Sequence, residues 1–352
     1  MRTTRALAQA GQSLWLDNIT RTLLDSGTLQ RYIDELDVTG LTSNPTIYDK
    51  AIGGSDAYDA QIAAAAAAGR SGEETFFELA LDDLRRAADL FRPVHDRTDG
   101  VDGYVSLEVS PTLAYDAAAT AAQAARLAGL AARPNLLIKI PGTAEGLPAI
   151  EETIFAGIPV NVTLLFSPEH VLASAEAYTR GIERRIAAGL SPVVGSVASL
   201  FISRWDPYSA ASLPDGLRGG LGLAIGVQSY VEHERFFSSP RWSALRAQGA
   251  RPQRLLFAST GTKDPAAPPT FYVAALAAPD TVDTMPEETL LAAGAAELPV
   301  QVLDRNAADA LAPFRAAGYD VDAAAADLQK KGADAFVGSW TSLLARIATK
   351  AG

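Results

Sequence analysis

Eight short apolar runs, each followed by a stretch with helical pattern, set the strongest constraint on how this chain can fold. They fall at residues 13–16, 38–41, 104–107, 136–140, 160–165, 193–197, 255–258 and 281–284. Alanine-rich helical patterns lie between them, such as 168–188, 223–236 and 115–132, the last behind Ser110-Pro-Thr112 as a capping region. Strand, helix, strand in repetition calls for a parallel sheet with helical crossovers. Eight such units fit a single (β/α)8 TIM barrel, with residues 1–352 as one domain. Residues 298–303 could add a strand, and a doubly wound sheet would also take eight or nine. The segment 205–253 is long for one crossover and is expected to carry additional helices. Residues 307–317 and 331–348 also read as helical, the latter with an apolar stripe of Phe336, Trp340, Leu343, Leu344 and Ile347.

Composition removes several function classes. The 352 residues include 30 Lys+Arg against 41 Asp+Glu, a formal net charge of −11, with 3 His and no Cys. Disulfides, thiolate nucleophiles and cysteine-bound metals are therefore excluded. His95, His170 and His233 lack metal-ligand spacing. An acidic chain does not suit a nucleic-acid partner, which needs a basic face. The run 154–166 is too short to span a membrane and is broken by Asn161 and Thr163. Arg2 and Arg5 are followed by no continuous apolar run, so a secretory signal is not expected and the cytoplasm is. Gly219-Gly-Leu-Gly222 lacks the strand-then-helix context of a dinucleotide site.

Strand faces say more, because side chains alternate at period two. In 136–140, Leu136, Ile138 and Ile140 form one face and would point outward to the helices, which aims Lys139 into the barrel. By the same alternation Tyr104, Ser106 and Glu108 point inward. Asn161 and Thr163 share a face, as do Thr42 and Asn44, and Asp17 lies opposite Leu14 and Leu16. Polar groups thus gather near carboxyl-terminal strand ends, where barrel enzymes keep their sites. Each also has a plainer reading. Asp17 could cap a helix, Asn44 could be a turn residue before Pro45, and Glu108 could be a structural carboxylate paired to Lys139. Lys139 is the hardest to make structural, since an enclosed ammonium is costly unless paired or deprotonated. An enclosed lysine among carboxylates suggests Schiff-base chemistry, in which a neutral amine condenses with a carbonyl and the iminium draws electrons from a neighbouring bond. A carboxylate would then move protons, directly or through a water held by Thr163.

On these residues the chain resembles the transaldolase family. The resemblance runs from Gly11-Gln-Ser-Leu-Trp-Leu-Asp17 through Gly40-Leu-Thr-Ser-Asn-Pro-Thr46, Val105-Ser-Leu-Glu-Val-Ser110 and Leu137-Ile-Lys-Ile-Pro-Gly-Thr143. It continues through Asn161-Val-Thr-Leu-Leu-Phe166, Val197-Ala-Ser-Leu-Phe-Ile-Ser-Arg204, Ala258-Ser-Thr-Gly-Thr-Lys-Asp264 and Pro279-Asp-Thr-Val-Asp-Thr-Met-Pro286. It implies a (β/α)8 barrel in which Lys139 forms the Schiff base with a ketose phosphate. Asp17 would take the proton from the sugar hydroxyl, and Glu108 would act through a water that Thr163 also holds. Thr42, Asn44 and Asn161 would bind donor hydroxyls and the dihydroxyacetone fragment, while Ser199, Phe201, Arg204, Ser259 and Lys263 would complete the substrate site. The implied reaction, of the pentose phosphate pathway, moves dihydroxyacetone from sedoheptulose 7-phosphate to glyceraldehyde 3-phosphate, giving erythrose 4-phosphate and fructose 6-phosphate. It needs no metal or organic cofactor. The implied partners are sugar phosphates alone, with no nucleic acid and no membrane, and the chain would act as a monomer or homodimer.

One feature departs from the much-studied bacterial members, which carry an arginine shortly after strand seven. Lys263 stands here instead; it supplies the charge without a planar fork, unless it is simply a solvated loop residue. Two other functions remain compatible with the motifs. A fructose-6-phosphate aldolase would resemble this fold but usually has Gln in place of Glu108 and Tyr in place of Phe201. A non-catalytic sugar-phosphate-binding barrel would be expected to lose Lys139 or its proton-handling neighbours first.

Overall fold

The computed structural model describes residues 1–352. Eight parallel strands close into a barrel in sequential order: β1 (Ser13–Leu16), β2 (Val38–Leu41), β3 (Val105–Glu108), β4 (Leu136–Pro141), β5 (Val160–Leu165), β6 (Ser196–Phe201), β7 (Arg254–Ala258) and β8 (Val282–Met285). Closure through the β1–β8 pairing, Ser13 with Val282 to Leu16 with Met285, excludes an open doubly wound sheet. No ninth strand forms: residues 298–303 are irregular and Leu303 donates its amide to the Ala277 carbonyl.

Seven strands lie within a residue or two of the apolar runs. The sixth does not. It begins at Ser196 rather than 193 and continues to Phe201, paired with Ala258 of β7. Residues 193–195 precede the ladder, and Val193 is exposed. The alternation Val197, Ser199, Phe201 carries the strand on, and a small polar residue in its middle ended the apolar run too early.

Capping explains the other shifts. The helix Ala117–Ala131 starts at Asp116, whose carboxylate accepts from the Ala119 amide, whereas Pro111–Leu113 is only a 3-10 turn. The C-terminal helix is longer than its apolar stripe, spanning Val321–Ala351 behind an Asp320 cap. It runs through Gly332, which is buried and packed: a Cβ there would lie 2.9 Å from the Leu164 side chain. Of residues 307–317 only Ala312–Ala316 is helical. The long segment after β6 carries Trp205–Ser209, Leu221–Phe237 and Pro240–Arg246, as its length required.

The amino-terminal end of the barrel is plugged. Trp15 Nε1 and Ser13 Oγ both donate to Asp102, at 2.8 and 2.5 Å, and Arg254 donates to Ser13 at 2.7 Å. Trp15 fills the interior only because β2 has Gly40 beside it, where a Cβ would sit 2.7 Å from the indole and 2.6 Å from the Tyr104 carbonyl. Access is therefore from the carboxyl-terminal end. There the C-terminal helix lies across the mouth, tied by Arg346 to Asp49 (2.8 Å) and by Ser339 to Thr46 (2.8 Å). No helix is long and apolar enough to cross a membrane.

Candidate active site

A cavity of about 310 Å³ opens at the carboxyl-terminal strand ends. Ten of the twelve residues singled out from the sequence line it: Asp17, Thr42, Asn44, Lys139, Thr163, Ser199, Phe201, Arg204, Ser259 and Lys263. The other two are buried behind it: Glu108 is ion-paired with Lys139, and Asn161 accepts a hydrogen bond from Ser199.

Strand register puts the charged groups together. Lys139 on β4 is level with Glu108 on β3 and Asn161 on β5. Its amine, on a side chain 5% exposed, lies 3.3 Å from Glu108 Oε2 and donates to the Ser43 carbonyl at 3.2 Å. Burial pushes the Glu108 carboxyl up, and the Lys139 charge pulls it back. Asn161 donates to Ser106 Oγ at 3.1 Å and accepts from Ser199 Oγ at 2.7 Å, so three strands share one hydrogen-bonded layer. Both Glu108 oxygens and the Thr163 hydroxyl are buried with no hydrogen-bond partner.

Asp17 follows β1 and caps nothing. The cap of the next helix is Thr20, which accepts from the Leu23 amide. Thr42 Oγ donates to Asp17 Oδ1 at 2.7 Å, and having spent its one hydrogen it must accept from Thr284 Oγ, also at 2.7 Å. Burial raises the Asp17 carboxyl, while Lys139 and the Thr42 hydrogen bond oppose that rise. Asn44 does cap a helix, Pro45–Gly53, through Oδ1 to the Ile47 amide at 3.0 Å. Its Nδ2 makes no hydrogen bond within the chain and the residue lines the cavity, so the turn reading and the site reading coexist.

The mouth is basic. Arg204 stacks over Phe201, its guanidinium carbon 5.0 Å from the ring centroid. Lys263 is exposed on the loop after β7, and Lys50 stands on the helix Pro45–Gly53. Strand alternation had also left several lining residues unmarked. Thr284, Lys50 and Phe336 were not expected here; Thr284 lies on a strand, but its neighbour Asp283 is also polar, so alternation did not mark it.

Fold and cavity define a (β/α)8 barrel with an enclosed amine between two carboxylates at its carboxyl-terminal end. Comparison with known proteins places that barrel. Residues 14–347 match the family model for transaldolase/fructose-6-phosphate aldolase. A transaldolase of Thermobifida fusca is 45% identical over 97% of this chain and 96% of its own length. One from Thiobacillus denitrificans is 42% identical over 99% and 100%, and one from Neisseria gonorrhoeae 42% over 96% and 97%. The chain belongs to the transaldolase/fructose-6-phosphate aldolase family.

Proposed function

We propose that this chain is a transaldolase that works through a Schiff base on Lys139. The observation carrying the reading is the Lys139 amine itself, nearly out of solvent and 3.3 Å from Glu108 on a cavity that Asp17 also lines. In the reaction the neutral amine adds to the ketose carbonyl at C2 and the carbinolamine loses water to give an iminium. Asp17 takes the proton from the C4 hydroxyl; the C3–C4 bond breaks, its electrons move to the iminium, and an aldehyde leaves. The enamine then attacks an acceptor aldehyde through C3, and the steps reverse. Glu108 and Thr163 present buried polar atoms without partners, a setting suited to a bridging water that carries protons during carbinolamine formation and loss.

Asn44, Thr42, Asn161 and Ser199 would hold the hydroxyls of the three-carbon fragment. Arg204, Ser259 and Lys263 would receive the phosphate, Arg204 through a fork and Lys263 as a point charge. The donor would be sedoheptulose 7-phosphate or fructose 6-phosphate. All the residues named come from one chain, so the site needs no second subunit, and a monomer or a homodimer would both work. Acting on phosphorylated sugars, the enzyme would work in the cytoplasm. Phe201 favours transfer over simple aldol cleavage, since it offers no phenol to protonate the enamine, and Glu108 stands where such aldolases usually carry Gln.

Borohydride reduction in the presence of fructose 6-phosphate is expected to trap an adduct on the peptide containing Lys139. Lys139→Ala should form none. A full-strength adduct in that variant would remove Lys139 from the role. Wild-type protein that transfers no fragment but releases dihydroxyacetone would be a simple aldolase, and one that does neither would be only a sugar-binding barrel.

A further inference from the structure

Phe336 is 4% exposed, lines the cavity, and places its ring centroid 5.7 Å from the Lys139 amine. It comes from the C-terminal helix, far in sequence from every strand end that builds the site. Its position is fixed on both sides. One turn before it, Gly332 packs against Leu164. Just ahead of Gly332, Gln329 donates through Nε2 to the Gly142 carbonyl at 3.0 Å and the Leu164 carbonyl at 2.9 Å. Beyond it Ser339 bonds to Thr46, and Trp340 packs edge-on against Phe76 with ring centroids 4.9 Å apart. The ring is therefore held over the amine by the packed helix and cannot drift with a loop.

We infer that Phe336 is a specificity-determining side chain whose ring keeps bulk water off the enamine carried by Lys139, so that C3 of the fragment meets an aldehyde before it meets a proton. The inference rests on the Schiff-base reading above. Release consumes one water: the enamine carbon takes a proton, hydroxide adds at C2, the C–N bond breaks, and free dihydroxyacetone leaves the amine of Lys139. The first of these steps commits the fragment to release, because transfer needs C3 unprotonated. An apolar ring beside the enamine donates no proton and excludes bulk water that would. The later steps, at C2 and the nitrogen, are shared by both outcomes and are served by the water proposed between Glu108 and Thr163. The ring face also favours the cationic iminium that forms before the C3–C4 bond breaks. Phe201, on β6, has its ring against Arg204, so the two rings belong to different elements of the cavity wall.

The test compares wild type, F336A and F336L, each given fructose 6-phosphate with and without erythrose 4-phosphate. The quantity read is free dihydroxyacetone released without acceptor relative to fragment transferred with it, beside the borohydride adduct on Lys139. F336A should keep the adduct and raise the ratio by about tenfold, equivalent to about 1.4 kcal/mol between the two competing barriers. F336L, which keeps an apolar cover, should fall between. An F336A ratio within about twofold of wild type overturns the inference, as does loss of release and transfer in equal proportion, since a merely structural residue would do that. Where F336A does not fold, F336L decides: a ratio raised at least about twofold supports the inference and an unchanged one overturns it. A wild-type protein that gives no adduct at all refutes the Schiff-base reading, which is a separate failure visible before any variant is made.

Discussion

Asp283 offers the sharpest test of the structure that surrounds the site. It sits on β8 next to Thr284 but points the other way, fully out of solvent. Oδ1 accepts from Thr260 Oγ at 2.9 Å, and Oδ2 has no partner. Burial pushes its carboxyl from 3.8 up to about 7. A carboxyl that is harder to ionise when folded stabilises the native state fully below 3.8, and that contribution is lost as pH rises towards 7. At 1.36 kcal/mol per decade, the interval between 3.8 and about 7 amounts to about 4 kcal/mol. Asp283→Asn keeps the acceptor for Thr260, and its uncharged amide replaces the acid hydroxyl with no ionisation to suppress. The variant should therefore gain on wild type as pH rises, by about 2–3 kcal/mol between about pH 5 and pH 8. Urea unfolding of both proteins at the two pH values measures this difference of differences. A change below about 0.5 kcal/mol would mean that Asp283 ionises freely and is not enclosed as described.

Two further substitutions bear on the chemistry. Glu108→Gln keeps the shape of the side chain and removes its proton-handling, so turnover should fall by about 10²–10⁴-fold with the Lys139 adduct still forming; stopped-flow or steady-state turnover near the wild-type value would make Glu108 a structural partner. Arg204→Ala should raise KM for fructose 6-phosphate by about 10–100-fold, the range of a charge-assisted hydrogen bond, and leave KM for unphosphorylated donors much less changed. An equal rise for both kinds of donor would put the phosphate elsewhere.

Much of the barrel could be read from the chain because a strand between helices advertises its faces. Leu136, Ile138 and Ile140 left only one direction for Lys139, and the parallel register then brought Glu108 and Asn161 level with it. Other features leave no such mark. Phe336 belongs to a helical apolar stripe that reads the same whether it closes a core or covers a ligand; only the path of the helix across the barrel mouth decides. On β8, Asp283 and Thr284 are both polar, so alternation could not say which faced inward. Two non-glycine residues at strand ends, Leu164 and Ser259, are left-handed with φ of 59° and 56°. Neither is a residue type that announces such a backbone. Leu164 is held there by the Gln329 hydrogen bond from the C-terminal helix, and Ser259 Oγ lies 2.9 Å from Ser203 Oγ. These are tertiary constraints, set by elements distant in sequence.

The charge distribution ties fold to chemistry more closely than net charge suggests. The chain carries −11 overall, yet Lys50, Lys139, Arg204 and Lys263 line the cavity against a single lining carboxylate, Asp17. Elsewhere arginines end on carboxylates: Arg241 on Glu176 and Glu183, Arg184 on Glu151 and Glu152, Arg21 on Asp83. Arg204 has no such partner although it is only partly exposed, and burial costs its guanidinium some of its usual proton affinity. A cation that is partly desolvated and unpaired raises the energy of the empty site, and a bound dianion recovers that energy. Such a site attracts a sugar phosphate locally, within about 10 Å at 0.1 M salt, while the acidic remainder of the surface repels it. On the proposed mechanism, the phosphate would thereby be drawn to the opening from which C2 of the sugar would reach the Lys139 amine.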